Sequence, residues 1–145
     1  MAPSTPPVKG PATLPARPTF SHYGDTAQSW PSILAFYDDL ANADPAFDDV
    51  AKLAKAIADS LFPAAGLCAL TSHSDLILGP STRVLDNPHL IVAYDFQNRC
   101  FRLEYRDGSA EPWVRTASPS EAFAVIERFL TRRARWFTDH RRANQ

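Results

Sequence analysis

Residues that mark several common classes of protein are scarce in this sequence. Its 145 residues include two cysteines and five glycines, and no apolar run reaches the roughly 18 residues of a membrane-spanning helix. A phosphate-binding loop needs clustered glycines, whereas Gly66, Gly79 and Gly108 stand alone. The formal net charge of -1 points to neither nucleic acid nor a membrane surface. We therefore expect no membrane segment, no nucleotide loop and no strong general affinity for nucleic acid.

The two cysteines and the first residues bear on the cellular compartment. Cys68 and Cys100 lie in apolar stretches, and a secreted disulfide scaffold would need more cysteines at closer spacing. We interpret them as reduced, buried thiols, although a single bridge between them stays open. The start of the chain, residues 1–7, lacks the charged beginning and apolar core of a signal peptide. These features predict a cytoplasmic protein.

Proline is concentrated at the start of the chain. Six of the thirteen prolines fall within the first twenty residues, where few large apolar side chains occur. Proline fixes φ and removes a hydrogen-bond donor, so this stretch favours neither a helix nor a strand. We predict a disordered Pro-rich tail over residues 1–22, a single domain over 23–140 and a basic end over 141–145.

Two helices are predicted at the beginning of the domain. The first starts at Ser29 or Trp30 with Pro31 at its first position, and the second starts at Asp44 with Pro45. Apolar residues recur every three or four positions in the second helix, and Pro63 is expected to end it. That apolar stripe consists of Phe47, Val50, Leu53, Ala54, Ile57 and Leu61.

The pattern changes to strands after Gly66. Residues 67–71 and 76–78 predict a hairpin, and residues 90–94 predict a strand that is either covered on both faces or placed centrally in the sheet. Residues 101–106 alternate between apolar and charged side chains, as in a half-buried strand. Residues 113–116 follow a turn, and Pro112 indicates an edge strand.

A long helix is predicted at the end of the domain. Ser118 and Glu121 have the spacing of a capping box, with Pro119 at the first helical position. An apolar stripe runs from Phe123 to Phe137 and is expected to face the sheet. The whole pattern predicts an α+β fold, with two N-terminal helices, an antiparallel sheet of four to five strands and a C-terminal helix packed on one sheet face.

No group of residues predicts a catalytic or metal site. Ser72, His73 and Asp75 resemble a triad in composition, but neighbours along a turn rarely face one another, and such residues are typical of hairpin tips. The four histidines are scattered, and no C-x-x-C or H-x-x-x-H spacing occurs. We expect no catalytic residues, no metal and no cofactor.

Charge is segregated along the chain. Residues 21–82 hold eight acids and two lysines, whereas residues 83–145 hold eight acids and eleven arginines. Charged surfaces of this kind steer partners of opposite sign, and Trp, Tyr and Arg are frequent at the centres of protein interfaces. The candidate partner-binding residues are Asp38, Asp39, Asp48 and Asp49 on the helices, and Arg102, Glu104, Arg106, Trp113 and Arg115 on the outward sheet face.

These observations favour a small non-enzymatic protein that binds another protein. Twelve arginines against three lysines suggest a bacterial source, and fold-level analogy suggests an immunity-type protein that neutralises a basic toxin or effector, or an adaptor or chaperone. Two alternatives stay open. One is nucleic-acid binding by the Arg-rich C-terminal helix, and the other is a small enzyme or ligand-binding domain with a site near His73 and Asp75.

Overall fold

The computed structural model describes residues 26–86 and 88–137, which form an α+β fold with a five-stranded antiparallel sheet. This confirms the predicted fold class and the strand number. The predictions for residues 1–22, for the turn at Asn87 and for residues 141–145 lie outside the described residues. Within those residues, no helix is long and apolar enough to cross a membrane.

The helical part contains more elements than the sequence predicts. Helix α1 spans Trp30–Ala43, a 3-10 turn spans Pro45–Phe47, helix α2 spans Asp48–Asp59 and a short helix α3 spans Phe62–Ala65. Ser29 caps α1 as expected, since its side chain accepts a hydrogen bond from the backbone N–H of Ser32. Asp44 caps the 3-10 turn and not α2 directly.

The end of α2 differs from the prediction. The helix stops at Asp59 because the Ser60 hydroxyl and backbone N–H both bond to the carbonyl of Ile57. Leu61 therefore leaves the apolar stripe and is 86% exposed. Pro63 does not end α2 but lies in the first turn of α3, and a left-handed Gly66 (φ 118°) ends that helix.

The sheet is a meander in which each strand pairs with its neighbours in the chain. The strands are β1 Cys68–Ser72, β2 Asp75–Gly79, β3 His89–Asp95, β4 Cys100–Arg106 and β5 Trp113–Ala117, in the order β1-β2-β3-β4-β5. Strand β3 is central and β5 is an edge strand, as predicted. The turn between β1 and β2 contains His73, which has a left-handed backbone (φ 56°).

The final helix is shorter than predicted. Helix α4 spans Ala122–Thr131, and a separate helical stretch covers residues 134–137. The predicted capping box does not form, because Glu121 is the N-cap and makes no side-chain capping bond. Instead, the backbone N–H groups of Glu121 and Ala122 bond to the carbonyl of Ser118.

The two faces of the sheet are covered unequally. Leu90, Val92, Phe101 and Leu103 belong to a large core that includes Ile126 and the apolar sides of α1 and α2. Among the described residues, the apolar cluster on the opposite face lies over β1 and β2, with Ile91 of β3 packed against it. There Leu70 and Ile77 pack against Val84 of the β2–β3 connection. The other half of that face, over β4 and β5, carries the charged side chains described next.

Candidate functional site

Glu104 is a buried carboxylate on the poorly covered half of the sheet. Its side chain is only 8% exposed, and it accepts hydrogen bonds from Arg102 (Nη1 to Oε1, 2.7 Å) and from Arg106 through Nε. Donation by Arg106 and then by Arg102 holds the pKa of Glu104 below its usual range. Both arginines remain about half exposed. The carboxylate therefore fixes two surface guanidinium groups in position.

The residues of β5 beside this cluster are also open to solvent. Val114 lies opposite Glu104 and Thr116 lies opposite Arg102, so their side chains share the face of the cluster. Val114 is 45% exposed. We call the set Arg102, Glu104, Arg106, Val114 and Thr116 the open sheet surface.

Trp113 and Arg115 do not belong to this surface, in contrast to the sequence prediction. They lie opposite Tyr105 and Leu103, which point to the core side of the sheet. The Trp113 ring packs on Phe129 of α4 with ring centres 5.4 Å apart. Both residues line a cleft between β5 and α4. The prediction failed because Trp113 and Val114 are both large and apolar, so the sequence did not show which of them faces inward.

The four acidic candidates are divided between two helices. Asp38 and Asp39 are exposed on α1, whereas Asp48 and Asp49 occupy the first turn of α2, where the helix dipole favours acids. Only the second pair lines a cleft of about 420 Å³. We call these four residues the acidic helix surface.

The cleft beside α2 also contains residues that the sequence did not single out. The Tyr94 hydroxyl donates a 2.6 Å hydrogen bond to Oδ2 of Asp49, and Lys52 and Arg99 line the same cleft. Burial raises the pKa of Tyr94, the hydrogen bond to Asp49 raises it further, and Arg99 opposes both effects. Tyr94 lies on the core parity of β3, so the sequence pattern marked it only as a buried strand residue.

The two histidines within the described residues lie at opposite ends of the sheet. His73 lies at the β1–β2 turn, whereas His89 begins β3 at the opposite end of the sheet and its Nδ1 lies 3.3 Å from the carbonyl of Asp86. Burial raises the pKa of Asp75, and His73 acts in the opposite direction. The Tyr37 hydroxyl donates to the carbonyl of Ser74 at 3.1 Å, which anchors this turn to α1. His89 therefore lies apart from His73 and Asp75, which remain close together at the β1–β2 turn.

The cysteines differ partly from the prediction. Both thiols are free, and each is half-buried instead of buried. Burial raises the pKa of Cys68, so the reactive thiolate form is disfavoured. Over residues 26–86 and 88–137, no group of three or more His, Cys, Asp or Glu side chains has the arrangement of a metal site.

The aromatic residues of the C-terminal segment are part of the core. Trp136 and Phe137 are 6% and 7% exposed, so neither ring is available for stacking with a base. The basic residues around them remain accessible, with Arg128, Arg132 and Arg135 exposed.

Comparison with protein-family models, with curated proteins and with solved structures gave no significant match to this chain.

Proposed function

We propose that this protein acts by binding another protein, as an immunity-type protein or an adaptor, and that the open sheet surface is its contact site. The proposal includes the arrangement in which the helices form a layer on one side of the sheet and leave the β4–β5 half of the other side free. The observation that carries it is the pair of arginines held by the buried carboxylate of Glu104.

The physical argument rests on preorganisation. An arginine that becomes ordered on binding loses rotamer entropy, which weakens the complex by roughly 0.5–1.5 kcal/mol per side chain. Arg102 and Arg106 are already fixed by Glu104 before a partner arrives. Val114 adds exposed apolar area beside them. Arginine is among the residues that contribute most to protein interfaces, and Arg102 and Arg106 are the residues of this surface that fit that description.

The acidic helix surface supports the same function through a different contact. Asp38, Asp39 and Asp48 are exposed, and a basic toxin would be attracted to them over a longer range. The open sheet surface would act through direct contact and the acidic helix surface through attraction of a basic partner. Variants of each surface therefore show which of the two is used.

The test begins with affinity capture from the native host, with the products of neighbouring genes as the first candidates. The dissociation constant of the captured protein is then measured by calorimetry for the wild type and for three variants. We expect Arg102→Ala/Arg106→Ala to weaken binding at least about tenfold. Asp38→Asn/Asp39→Asn and the control Lys55→Ala should change it less than about twofold.

The opposite ranking of the two surface variants would contradict the open sheet surface and move the contact to the helices. Equal affinity for all variants would contradict both surfaces. A purified protein that turns over a substrate without any bound protein would contradict the proposed function itself.

A further inference from the structure

Four arginines line one small cleft on the core side of the sheet edge. The cleft has a volume of about 130 Å³ and lies between β5 and the C-terminal end of α4. Its lining consists of Trp113, Arg115, Val125, Arg128, Phe129, Arg132 and Arg133. We call this the arginine cleft, and it contains none of the residues of the open sheet surface.

Among the described residues, three other arginines have carboxylate partners that the arginines of this cleft do not have. Arg83 pairs with Asp86, and Arg102 and Arg106 pair with Glu104. Within the part of the chain that the structure describes, no carboxylate forms an ion pair with any of the four arginines in the cleft. The charge of Arg133 also lowers the pKa of Asp107, although hydrogen bonds from Ser109 lower it more.

Arg133 is held firmly and yet has an unused donor. Its guanidinium group stacks on the rings of Phe129 (3.7 Å) and Tyr105 (4.4 Å), and Nη1 donates to the carbonyl of Phe129. Its Nε is buried and has no hydrogen-bond partner among the described residues. A buried donor without a partner is unfavourable, so such an atom points to a group that the cleft accepts from outside.

The dipole of α4 does not by itself explain this cluster. A cation in the last turn of a helix is favourable, which accounts for Arg128. Arg115, however, comes from strand β5, and Arg133 follows the end of α4. Two separate segments, β5 and the C-terminal end of α4 with the residues that follow it, thus bring positive charge to one place.

We propose that the arginine cleft binds a phosphoryl group carried by a small molecule. Guanidinium groups bind phosphate through paired, charge-assisted hydrogen bonds, and four of them compensate the two negative charges of a phosphate monoester. The cleft has room for one such group. Trp113 is 40% exposed at its edge, and its indole provides a surface on which a flat group of the same ligand stacks.

The test measures binding to the full-length protein by calorimetry at an ionic strength of about 0.15 M, where the field of a charge outside the cleft falls off within about 8 Å. Inorganic phosphate and adenosine monophosphate are the probes, and adenosine is the uncharged control. We expect both phosphates to bind and adenosine not to bind. Arg128→Gln and Arg115→Gln should each weaken phosphate binding about tenfold, which corresponds to the loss of one charge-assisted hydrogen bond.

Arg135→Gln is the matched control, because Arg135 is exposed on the same C-terminal segment but does not line the cleft. It removes the same charge and should change the affinity less than about twofold. If adenosine monophosphate binds more tightly than inorganic phosphate, Trp113→Leu should abolish that difference in affinity.

Three results would overturn the proposal. The first is that neither phosphate binds at millimolar concentration, and the second is that Arg135→Gln and Arg128→Gln lose the same amount of affinity for phosphate. The third is that single-stranded DNA binds while neither small phosphate does. These results do not depend on capture of a protein partner, so the site and the proposed function can fail separately.

Discussion

At the scale of single residues, the ion pairs of this protein differ in how far their side chains are exposed to solvent. Lys55–Asp59 and Arg83–Asp86 join side chains that are each more than 60% exposed, and such pairs contribute little to stability. Glu104 is 8% exposed and accepts two hydrogen bonds from arginines. Removing a partner from a buried ionic group has a large effect because the remaining charges lose their compensation. The contribution of ion pairs should therefore be concentrated at Glu104.

The first prediction concerns the substitution Glu104→Gln. It should lower the free energy of unfolding by about 1–3 kcal/mol at neutral pH, because the amide cannot replace the charge between Arg102 and Arg106. Urea unfolding followed by circular dichroism measures the change. Glu111→Gln in the exposed β4–β5 connection is the control and should change the value by less than about 0.5 kcal/mol.

The second prediction is the pH dependence of that difference. Folding lowers the pKa of Glu104, so the ionised carboxylate stabilises the folded state fully above the pKa of glutamate in the unfolded chain, about 4.3. This contribution is lost as the pH falls through the lower pKa of the folded state. Unfolding curves between pH 7 and pH 3 should therefore show the wild type and Glu104→Gln converging in acid. A constant difference over that range would contradict the assignment.

At the scale of elements, the two edges of the sheet differ in their protection. The Gln28 backbone N–H donates to the carbonyl of Ala69, and its side-chain oxygen accepts bonds from the backbone N–H and the hydroxyl of Thr71. These contacts cover the free edge of β1. Strand β5 has no comparable cover from the described residues. An uncovered edge can pair with another strand, whereas a covered one cannot.

The third prediction tests the cover of the β1 edge. Gln28→Ala should lower the free energy of unfolding by roughly 1–2 kcal/mol, because the backbone N–H of Thr71 loses its acceptor. Amide hydrogen exchange should show faster exchange at Thr71 in the variant. Gln97→Ala in the exposed β3–β4 turn serves as the control, and equal effects of both variants would contradict the role of Gln28.

The fourth prediction concerns the core side of α2. Ile57 is fully buried, and Ile57→Ala should lower the free energy of unfolding by about 2–5 kcal/mol through lost burial and a cavity. Lys55 lies on the opposite, exposed side of the same helix. Lys55→Ala should change the stability by less than about 0.5 kcal/mol in thermal or urea unfolding. Similar losses of unfolding free energy for Ile57→Ala and Lys55→Ala would mean that α2 does not pack as described.

At the scale of the whole molecule, the large core of the described residues extends along the chain from Trp30 to Phe137. The large core joins α1, α2, the sheet and the C-terminal segment. Residues 1–20 supply few apolar side chains and six prolines. A segment of this composition is not expected to contribute to the core.

The fifth prediction follows for a chain that lacks residues 1–20. Its free energy of unfolding should equal that of the full chain within about 0.5 kcal/mol, and its affinity for a captured partner should be unchanged. Calorimetric unfolding and a binding titration measure the two quantities. A loss of affinity with unchanged stability would assign the partner contact to the tail instead of the sheet.

Parts of the fold could be predicted because local patterns specify them. The strong amphipathic period of α2, the alternation of β4 and the position of Pro112 each identified an element correctly. The predicted ends of helices were less accurate. The Ser60 hydroxyl ends α2 before the apolar pattern stops, and the Ser118 backbone replaces the expected side-chain cap of α4. Such competition between hydrogen bonds is decided by geometry that the pattern does not contain.

The candidate surfaces were predicted only in part for a related reason. Arg102, Glu104 and Arg106 alternate with apolar residues, so their common face was evident from the period of a strand. On β5, either parity could have faced the core, and the pairing with β4 decided that Trp113 and Arg115 point toward α4. A shift of one residue in the register of a strand moves every side chain of that strand to the opposite face of the sheet.

The sequence by itself determined the class of the fold, the order of its main elements and the separation of acidic and basic segments, because these follow from composition and from short-range periodicity. The tertiary structure alone decided which charges meet. It brought Arg115 of β5 to the same cleft as Arg128, Arg132 and Arg133 at the end of α4, whereas Glu104 and its two arginines are neighbours along a single strand. Residues distant in the chain become neighbours only through strand register and helix packing, and no short segment of the sequence specifies either of these.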